Sequence, residues 1–548
     1  MKNINIYPII IFLMIFASGC DDFIDTTPTD RISDKVVWQD INTATLYCNT
    51  FLAYIDRYGV FSSPSQFNGN LTEGLTETFK YGSTVSGSRA GDSNMMVFNP
   101  ERIGPDQNLL NVWGVTYERI RRVNEFLVGL YNLSTFDEST NKLFEGQARF
   151  TRAYLYFQLA KRHGGVILYT DMNLEKDKNR SSASDTWDLI EQDLDFAASV
   201  LPGEWDAANY GRVTKGAVYA FKSRAMLYAE RWQSAKDAAD EVFKLNKYEL
   251  AGNYEDSWKG GNKESILEYN YLVTGPNHNF DNAYATYGEA VDIGGAGAPT
   301  QEMVEAYEKS DGTKVDWTPW KNEMGTTLRP PYEELEPRFH ATVIYNGSVW
   351  QGKTMENSVG GTNGAFMEYG TETYPKGKTT TGYYLRKLRD ESLTQITVYA
   401  SSQTWVEIRL AEVYLNRAEA LYRLNKPSEA LNDLKAVRAR VSLPTATGLT
   451  GDDLFEAIKH ERKIELSYEG HLYWDMRRWK LADKTYPEGY NNYRVHGMKI
   501  TGTTGDYTYQ YVDCDKQNRK FLAKTYVLPI PNTELNNNSA IEQYDEWK

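Results

Sequence analysis

Two stretches of the chain concentrate side chains able to hold a sugar. The first carries Phe79, Tyr81, Arg89, Asp92, Asn94, Met96 and Phe98; the second carries Asn277, His278, Tyr284, Tyr287, Trp317, Trp320 and Trp350. A pyranose offers an apolar face of C–H groups and a belt of hydroxyls. Aromatic rings pack on the face, and amide, carboxylate, guanidinium and imidazole groups hydrogen-bond the belt. Packing within a loop is the competing role for each residue. The candidate ligand-binding set is Phe79, Tyr81, Arg89, Asp92, Asn94, Phe98, His278, Tyr284, Tyr287, Trp317, Trp320 and Trp350, with Trp320 the first choice of stacking ring and Trp317 the second.

Catalytic signatures are missing by comparison. There is no GxSxG elbow, no GxxxxGK[ST], no GxGxxG and no HExxH. The six histidines, His163, His278, His340, His460, His471 and His496, have no metal-ligand spacing. Asp513, Asp515 and Asn518 faintly echo a calcium loop, but Lys524 stands where the bidentate Glu belongs and the glycine is missing. Glu461, Glu465 and Glu469 share one helical face, with Arg462, Arg477 and Arg478 close in sequence. Two carboxylates can flank a glycosidic bond, yet this spacing better fits an ion-pair network that locks helices together. The expectation is a binding protein with no catalytic residue, cofactor or metal.

These residues hang on a framework with helical period. Trp113, Tyr117, Ile120, Asn124, Leu127 and Leu130 recur every three or four residues, predicting a helix over 113–131. Further helices are expected over 143–162, 185–200, 215–230, 233–247, 405–424, 428–441 and 453–481. Arg152-Ala153-Tyr154-Leu155-Tyr156 is echoed by Arg224-Ala225-Met226-Leu227-Tyr228 and, more loosely, by Arg417-Ala418-Glu419-Ala420-Leu421-Tyr422. A shift of 195 residues pairs Tyr219 with Tyr414, Ala225 with Ala420, Ala235 with Ala430 and Val242 with Val437. Small residues on one face let antiparallel helices approach closely, an arrangement similar to tetratricopeptide helix pairs. Residues 60–112 and 250–400 interrupt the pairs; rich in Gly, Asn, Thr, Tyr and Trp, they lack helical period. Thr342-Val343-Ile344-Tyr345 and Gly382-Tyr383-Tyr384-Leu385 read as short strands within them.

Composition bounds the partners. Length alone suggests roughly three or four domains. Aromatic residues make up 13% of the chain, with 39 Tyr and 13 Trp, which suits ligand platforms and packing equally. A formal net charge of -14 argues against nucleic acid, which needs a basic stripe to displace counterions. Cys48 and Cys514 are too far apart in sequence for a disulfide framework or zinc spacing.

The amino terminus reads as an export signal. Lys2 supplies a positive charge, and the apolar run from Ile9 to Phe16 is about half the roughly 20 residues a spanning helix needs. Ala17-Ser18-Gly19-Cys20 resembles a bacterial lipoprotein lipobox, with Ala17 where Leu is typical, and this makes Cys20 the lipidated first residue of the mature chain. Ordinary cleavage after Gly19 is the plainer alternative. Two or more acyl chains would tether the protein firmly without embedding it. Asp21 to Asp30 form an acidic, turn-rich tether.

Four further blocks carry a family resemblance. They are Glu145-Gly146-Gln147-Ala148-Arg149-Phe150-Thr151-Arg152-Ala153-Tyr154 running to Gly164-Gly165-Val166; Arg409-Leu410-Ala411-Glu412-Val413-Tyr414-Leu415-Asn416-Arg417-Ala418-Glu419-Ala420; Glu461-Arg462-Lys463-Ile464-Glu465-Leu466-Ser467-Tyr468-Glu469-Gly470 continuing to Trp474-Asp475-Met476-Arg477-Arg478-Trp479; and Leu528-Pro529-Ile530-Pro531 followed by Glu534 and Asn538. In this order, behind a lipoprotein signal, the chain resembles the SusD/RagB family of outer-membrane nutrient-binding lipoproteins of Bacteroidetes over nearly all its mature length. His471-Leu472 departs from the large or basic residue usual after the Glu-Gly.

The resemblance implies a mainly α fold, a tetratricopeptide-like helix-pair scaffold with long loop-rich inserts containing a few short strands. It implies a signal peptide over 1–19, an N-terminal region over 20–250 with a ligand-loop insert, a loop-rich insert region over 251–400, and a C-terminal region over 401–548 that completes the scaffold. It implies a surface-exposed, lipid-anchored protein of the outer membrane, with Asp21-Asp22 similar to an acidic export tag. The implied partners are a SusC-like TonB-dependent transporter and an oligosaccharide or polysaccharide ligand, with peptide or another nutrient as the alternative cargo. The ligand surface falls in the two inserts. The first insert has no Trp before Trp113, where the starch-binding prototype uses one, which argues against starch itself.

Overall fold

The computed structural model describes residues 34–61, 71–82, 96–173, 175–290, 294–369, 371, 376–393, 396 and 401–548. Cys20, Arg89, Asp92 and Asn94 lie outside the described residues. After a single helical turn at Asp34–Val37 come two short helices, α1 (Ile41–Asn49) and α2 (Leu52–Asp56). Five longer ones follow: α3 (Trp113–Leu133), α4 (Glu138–His163), α5 (Ala183–Val200), α6 (Lys215–Tyr228) and α7 (Trp232–Lys244). After the long insert come α8 (Leu410–Arg423), α9 (Pro427–Ala439), α10 (Gly451–Glu465) and α11 (Leu472–Arg478). Local chemistry sets the ends. Asp137 caps α4 by accepting from the Thr140 amide, Lys161, Arg162 and His163 sit against the negative end of its dipole, and Gly164 stops it at φ 72°. Ser182 and Asp185 close a reciprocal capping box on α5.

The helix pairs are those of the repeat. Ala225 and Ala420, Ala235 and Ala430, and Val242 and Val437 are all buried, in the α6–α7 and α8–α9 pairs respectively. Tyr219 and Tyr414 are both half-buried at the flank of the same core. Each copy's arginine finds an acid on a neighbouring helix or strand: Arg152 meets Asp193, Arg224 meets Glu407 and Glu412, and Arg417 bridges Asp240 and Asp433. Among the described residues no helix is long and apolar enough to cross a membrane.

Strands occur as two-stranded ladders. In chain order they are β1 (Phe79–Tyr81), β2 (Ser265–Tyr269), β3 (Gly297–Pro299), β4 (Val343–Ile344), β5 (Val349–Trp350), β6 (Lys353–Thr354), β7 (Tyr384–Leu385), β8 (Trp405–Arg409), β9 (His496–Thr503) and β10 (Asp506–Asp513). The two runs read as strands from sequence, β4 and β7, are antiparallel partners, with Val343 opposite Leu385. Three elements differ from expectation. The helix expected from 405 begins at Leu410, because Trp405–Arg409 is an alternating, β-branched run that pairs with β2. The helix expected over 453–481 is broken between α10 and α11, where Tyr468 and Gly470 take φ 63° and 81°. The β9–β10 hairpin turns at Gly505, φ 93°, and was not foreshadowed by the helical pattern around it.

Two large cores result. One lies among α1 to α8, and Cys48 is buried in it. The other gathers the insert with α10, α11 and β9–β10, and Cys514, at its edge, donates its thiol to the Thr380 carbonyl. Buried charge stitches the insert to the helices. Arg409 reaches Glu264, Glu465 and Glu469 at 2.8, 2.6 and 2.6 Å. Arg338 and Arg440 also hold Glu465, Lys387 holds Glu469, and Arg462 pairs with Asp475. Burial opposes the charge on Glu465, but Arg440, Arg409 and Arg338 hold it well below its ordinary value. Glu461, Glu465 and Glu469 are all buried against these cations, which leaves no room for a glycosidic bond between two of them.

Candidate functional site

The β5–β6 hairpin turns through Gln351 and Gly352, both at positive φ, 50° and 71°. This is the geometry of a two-residue hairpin loop whose twist matches its strands. It fixes Trp350 at one wall of a cavity of about 370 Å³, lined also by Phe61, Trp258, Arg386, Leu388, Arg389, Glu391, Ser392 and Gln403. The volume lies in the range of small-molecule sites, roughly 300–1,000 Å³. The 386–393 loop forms the opposite wall and is tied to the hairpin. Gln351 donates its amide to Glu391, and its side chain to the Leu393 carbonyl at 2.6 Å. Leu388 sits at φ 68°, a conformation unfavourable for an apolar L-residue. Such strain tends to collect where a loop is shaped for a ligand.

A charge relay supports the cavity from below. The Trp350 indole donates to Glu289 at 2.7 Å, and Arg389 lies 4.7 Å over the ring. Arg389 also reaches Glu289 at 3.1 Å. Burial pushes the Glu289 carboxyl up, but Arg389, the indole and Thr286 outweigh it and hold the group below its ordinary value. Asp281 accepts from Ser401, Gln403 and the Asp390 amide, yet burial still raises it. Among the described residues, Nε and Nη1 of Arg389 and Oε1 of Gln403 have no hydrogen-bond partner. Nearer to solvent, Arg386 pairs with Glu391 at 2.9 Å and both remain partly exposed. The cavity thus joins fixed aromatic walls to a rim of guanidinium, carboxylate, hydroxyl and amide groups.

The candidate residues divide into those at the cavity and those that build the core. Trp350 lines the cavity. His278 backs it, stacked on Phe61 at 4.1 Å between centroids. Its Nε2 faces the Gln403 carbonyl and its Nδ1 accepts from the Phe280 amide, and burial lowers its pKa to about 4, so it is a neutral spacer. Tyr287 is half-buried, with Lys378 5.5 Å from its ring centre. Phe79, Tyr81 and Tyr284 pack together in the core, where Tyr81 donates to the Leu71 carbonyl. Phe98 is buried near Lys80. Trp317 and Trp320, the preferred stacking rings, are 5% and 8% exposed and pack edge-on against each other. Trp320 donates its indole N–H to the Leu328 carbonyl. Trp350 and Trp258 are as buried, at 2% and 8% exposed, and differ from this pair in lining the cavity. The Asp513–Asn518 segment is spent on ion pairs instead of a cation loop, with Asp515 on Arg519 and Asp513 on Arg494.

Phe61, Trp258, Arg386, Arg389 and Gln403 escaped the sequence reading. They come from four separate segments, and no spacing rule joins them. One signal was available in the dense charge run Arg386-Lys387-Leu388-Arg389-Asp390-Glu391, directly after a short strand in an aromatic insert.

Known proteins share this architecture. Residues 263–547 match the model described as the SusD family. Residues 27–227 match one described as starch-binding, associating with outer membrane. A SusD-like protein, P38, of Formosa agariphila is 22% identical over 511 residues, covering 88% of this chain and 92% of that protein. A solved SusD-like protein from Bacteroides fragilis superposes with a TM-score of 0.79 at 27% identity, covering 94% of this chain and 99% of the other. A second from the same organism, described as a SusD-like carbohydrate binding protein, gives 0.76 at 25% identity over 92% of this chain and 99% of its own. The SusD family match covers more than half of the chain and supplies every cavity wall except Phe61 and the 255–259 segment that carries Trp258, and on that ground the chain belongs to the SusD family.

Proposed function

We propose that the protein is a cell-surface lipoprotein that captures an oligosaccharide in the Trp350 cavity and delivers it to a SusC-like TonB-dependent transporter without catalysing any change in it. The observation that carries the reading is the pairing, in one cavity, of Trp350 and Trp258 with Arg386, Ser392 and Gln403. Ring walls that are already packed lose little side-chain entropy when a sugar docks, so a modest contact can hold a flexible chain. The description of the amino-terminal match, starch-binding and associating with outer membrane, supports both cargo class and location. So does the name of the Bacteroides fragilis carbohydrate binding relative. Cys20 supplies the anchor in this reading. A receptor that must release its cargo binds it at micromolar strength, about -8 kcal/mol or weaker.

Calorimetric titration against a panel of polysaccharides and peptides tests this. The Arg386 side chain is partly exposed, pairs with Glu391 at the rim and lies 5.7 Å from the centre of the Trp350 ring, so Arg386→Ala should fold while changing the cavity wall. The expected result is a loss of about tenfold in affinity, about 1.4 kcal/mol. Equal glycan affinity in wild type and variant would remove the cavity from the site, and binding of peptides alone would transfer the cargo to that class.

A further inference from the structure

A second and larger concavity, about 650 Å³, lies between α2, the loop joining α5 to α6, and β2. Its walls present Trp205, Tyr210, Tyr248 and Tyr269 together with Asn262 and Asn270. Two of the rings are fixed. Trp205 donates its indole N–H to the Val213 carbonyl at 2.9 Å and lies beneath Arg212. Tyr248 occupies the space that a Cβ on Gly216 would fill, 2.1 Å from its hydroxyl. Tyr210 is 75% exposed at the rim. Aromatic faces, amides and an open rim are again the chemistry of a sugar chain.

The groove adjoins the Trp350 cavity. Asn270 in the groove wall accepts from Thr404 at 2.7 Å, and the next residue, Gln403, lines the cavity. Behind that partition the rings run on: Tyr269 to Tyr271 at 5.0 Å, Tyr271 to His278 at 4.7 Å, and His278 to Phe61 at 4.1 Å. We propose that the groove is a second subsite for the same ligand, so that the cargo is a glycan chain long enough to fill the cavity and continue along the Tyr210 rim. This rests on the glycan reading above. An extended peptide added to the free edge of β2 is the competing occupant. The β2–β8 ladder disfavours it, since its register slips twice, between Ser265 and Leu267 and again before Glu268. Irregular edges of this kind resist strand addition.

The experiment titrates wild type, Tyr210→Ala and Arg386→Ala with short and long hydrolysate fractions of starch, laminarin, xylan and mannan. Wild type should bind the long fraction of its preferred glycan about tenfold tighter than the short one. In Tyr210→Ala that ratio should fall to about one, whereas in Arg386→Ala both affinities should fall and the ratio should persist. A ratio of one in wild type, or a ratio that Tyr210→Ala leaves intact, overturns the second subsite while leaving the cavity's role standing. So does a Tyr210→Ala protein that keeps the ratio but no longer co-purifies with the transporter. If wild type binds no glycan in the series, both readings fall together.

Discussion

The indole N–H of Trp320 is spent on the Leu328 carbonyl, and that of Trp350 on the Glu289 carboxylate at the base of a cavity. Replacing either by Phe keeps most of the ring volume and removes the donor. Leu328 is half exposed, so Trp320→Phe should lower the melting temperature modestly, at about 0.5–1.5 kcal/mol for the lost hydrogen bond, and leave glycan affinity as it was. Trp350→Phe should weaken glycan binding more than it weakens the fold. Parallel melting curves and titrations separate the two, and a Trp320→Phe protein that loses binding at wild-type stability would reverse the assignment. Glu73 offers a second test of a single group. Burial raises its carboxyl to about 7 despite a bond from the Gly470 amide, and Oε2 has no partner among the described residues. Its folded value lies above its ordinary 4.5, so its contribution to stability is full in acid and is lost as pH rises through 7. Glu73→Gln keeps the acceptor for Gly470, and should raise the melting temperature at about pH 8 with little change near pH 4. An equal shift at both pH values would rule this account out.

At the scale of elements, the break between α10 and α11 exists because it brings Glu469 to Arg409 and Lys387 while Glu465 stays on the helix facing Arg409, Arg338 and Arg440. Removing one member of such a set leaves uncompensated buried charge, typically about 3–5 kcal/mol. Glu465→Ala should melt much earlier than wild type yet, where folded, bind glycan normally; a variant that melts like wild type and loses binding would make the network functional. The long helices were legible in sequence because a 3.6-residue period accumulates over many turns, and the repeat of Ala225 and Ala235 in Ala420 and Ala430 located their close contacts. Trp405–Arg409 was not, because its apolar residues continue the pattern of the helix after it and only the distant partner β2 decides its state. The cavity was half legible for a related reason. Residue type announced that Trp317, Trp320 and Trp350 could stack on a sugar, but which ring faces a void depends on what closes over it. The 386–393 loop that closes over Trp350 carries no period at all.

For the whole molecule, the same buried acids set its response to pH. Arg409 and Lys387 outweigh burial and hold Glu469 at about 2, and Glu465 is likewise depressed. Folded values below the ordinary 4.5 mean stability that is present above that pH and lost as pH falls toward 2. Denaturant midpoints should therefore fall steeply over that interval, and a flat profile there would show that these acids are not ionised in the fold. The anchor is tested at the same scale. Cys20→Ala should leave a secreted or unprocessed protein that no longer fractionates with the outer membrane. Unchanged membrane association without the transporter, together with no lipid label on wild type, would end the lipoprotein reading.

The two remaining cysteines give each core its own clock. Cys48 is sealed in the helical core, where burial pushes its thiol up to about 12, and Cys514 is sealed at the edge of the loop-rich core, where burial likewise pushes its thiol well up. Neither can react with an alkylating reagent while its surroundings are closed. In a mature chain lacking Cys20, labelling at each position counts the openings of one core alone. Because Arg409, Glu264 and Glu465 clamp β2, β8 and α10 together, the two clocks should run at the same rate. Faster modification at Cys514 would mean that the loop-rich half breathes while the helical scaffold stays shut.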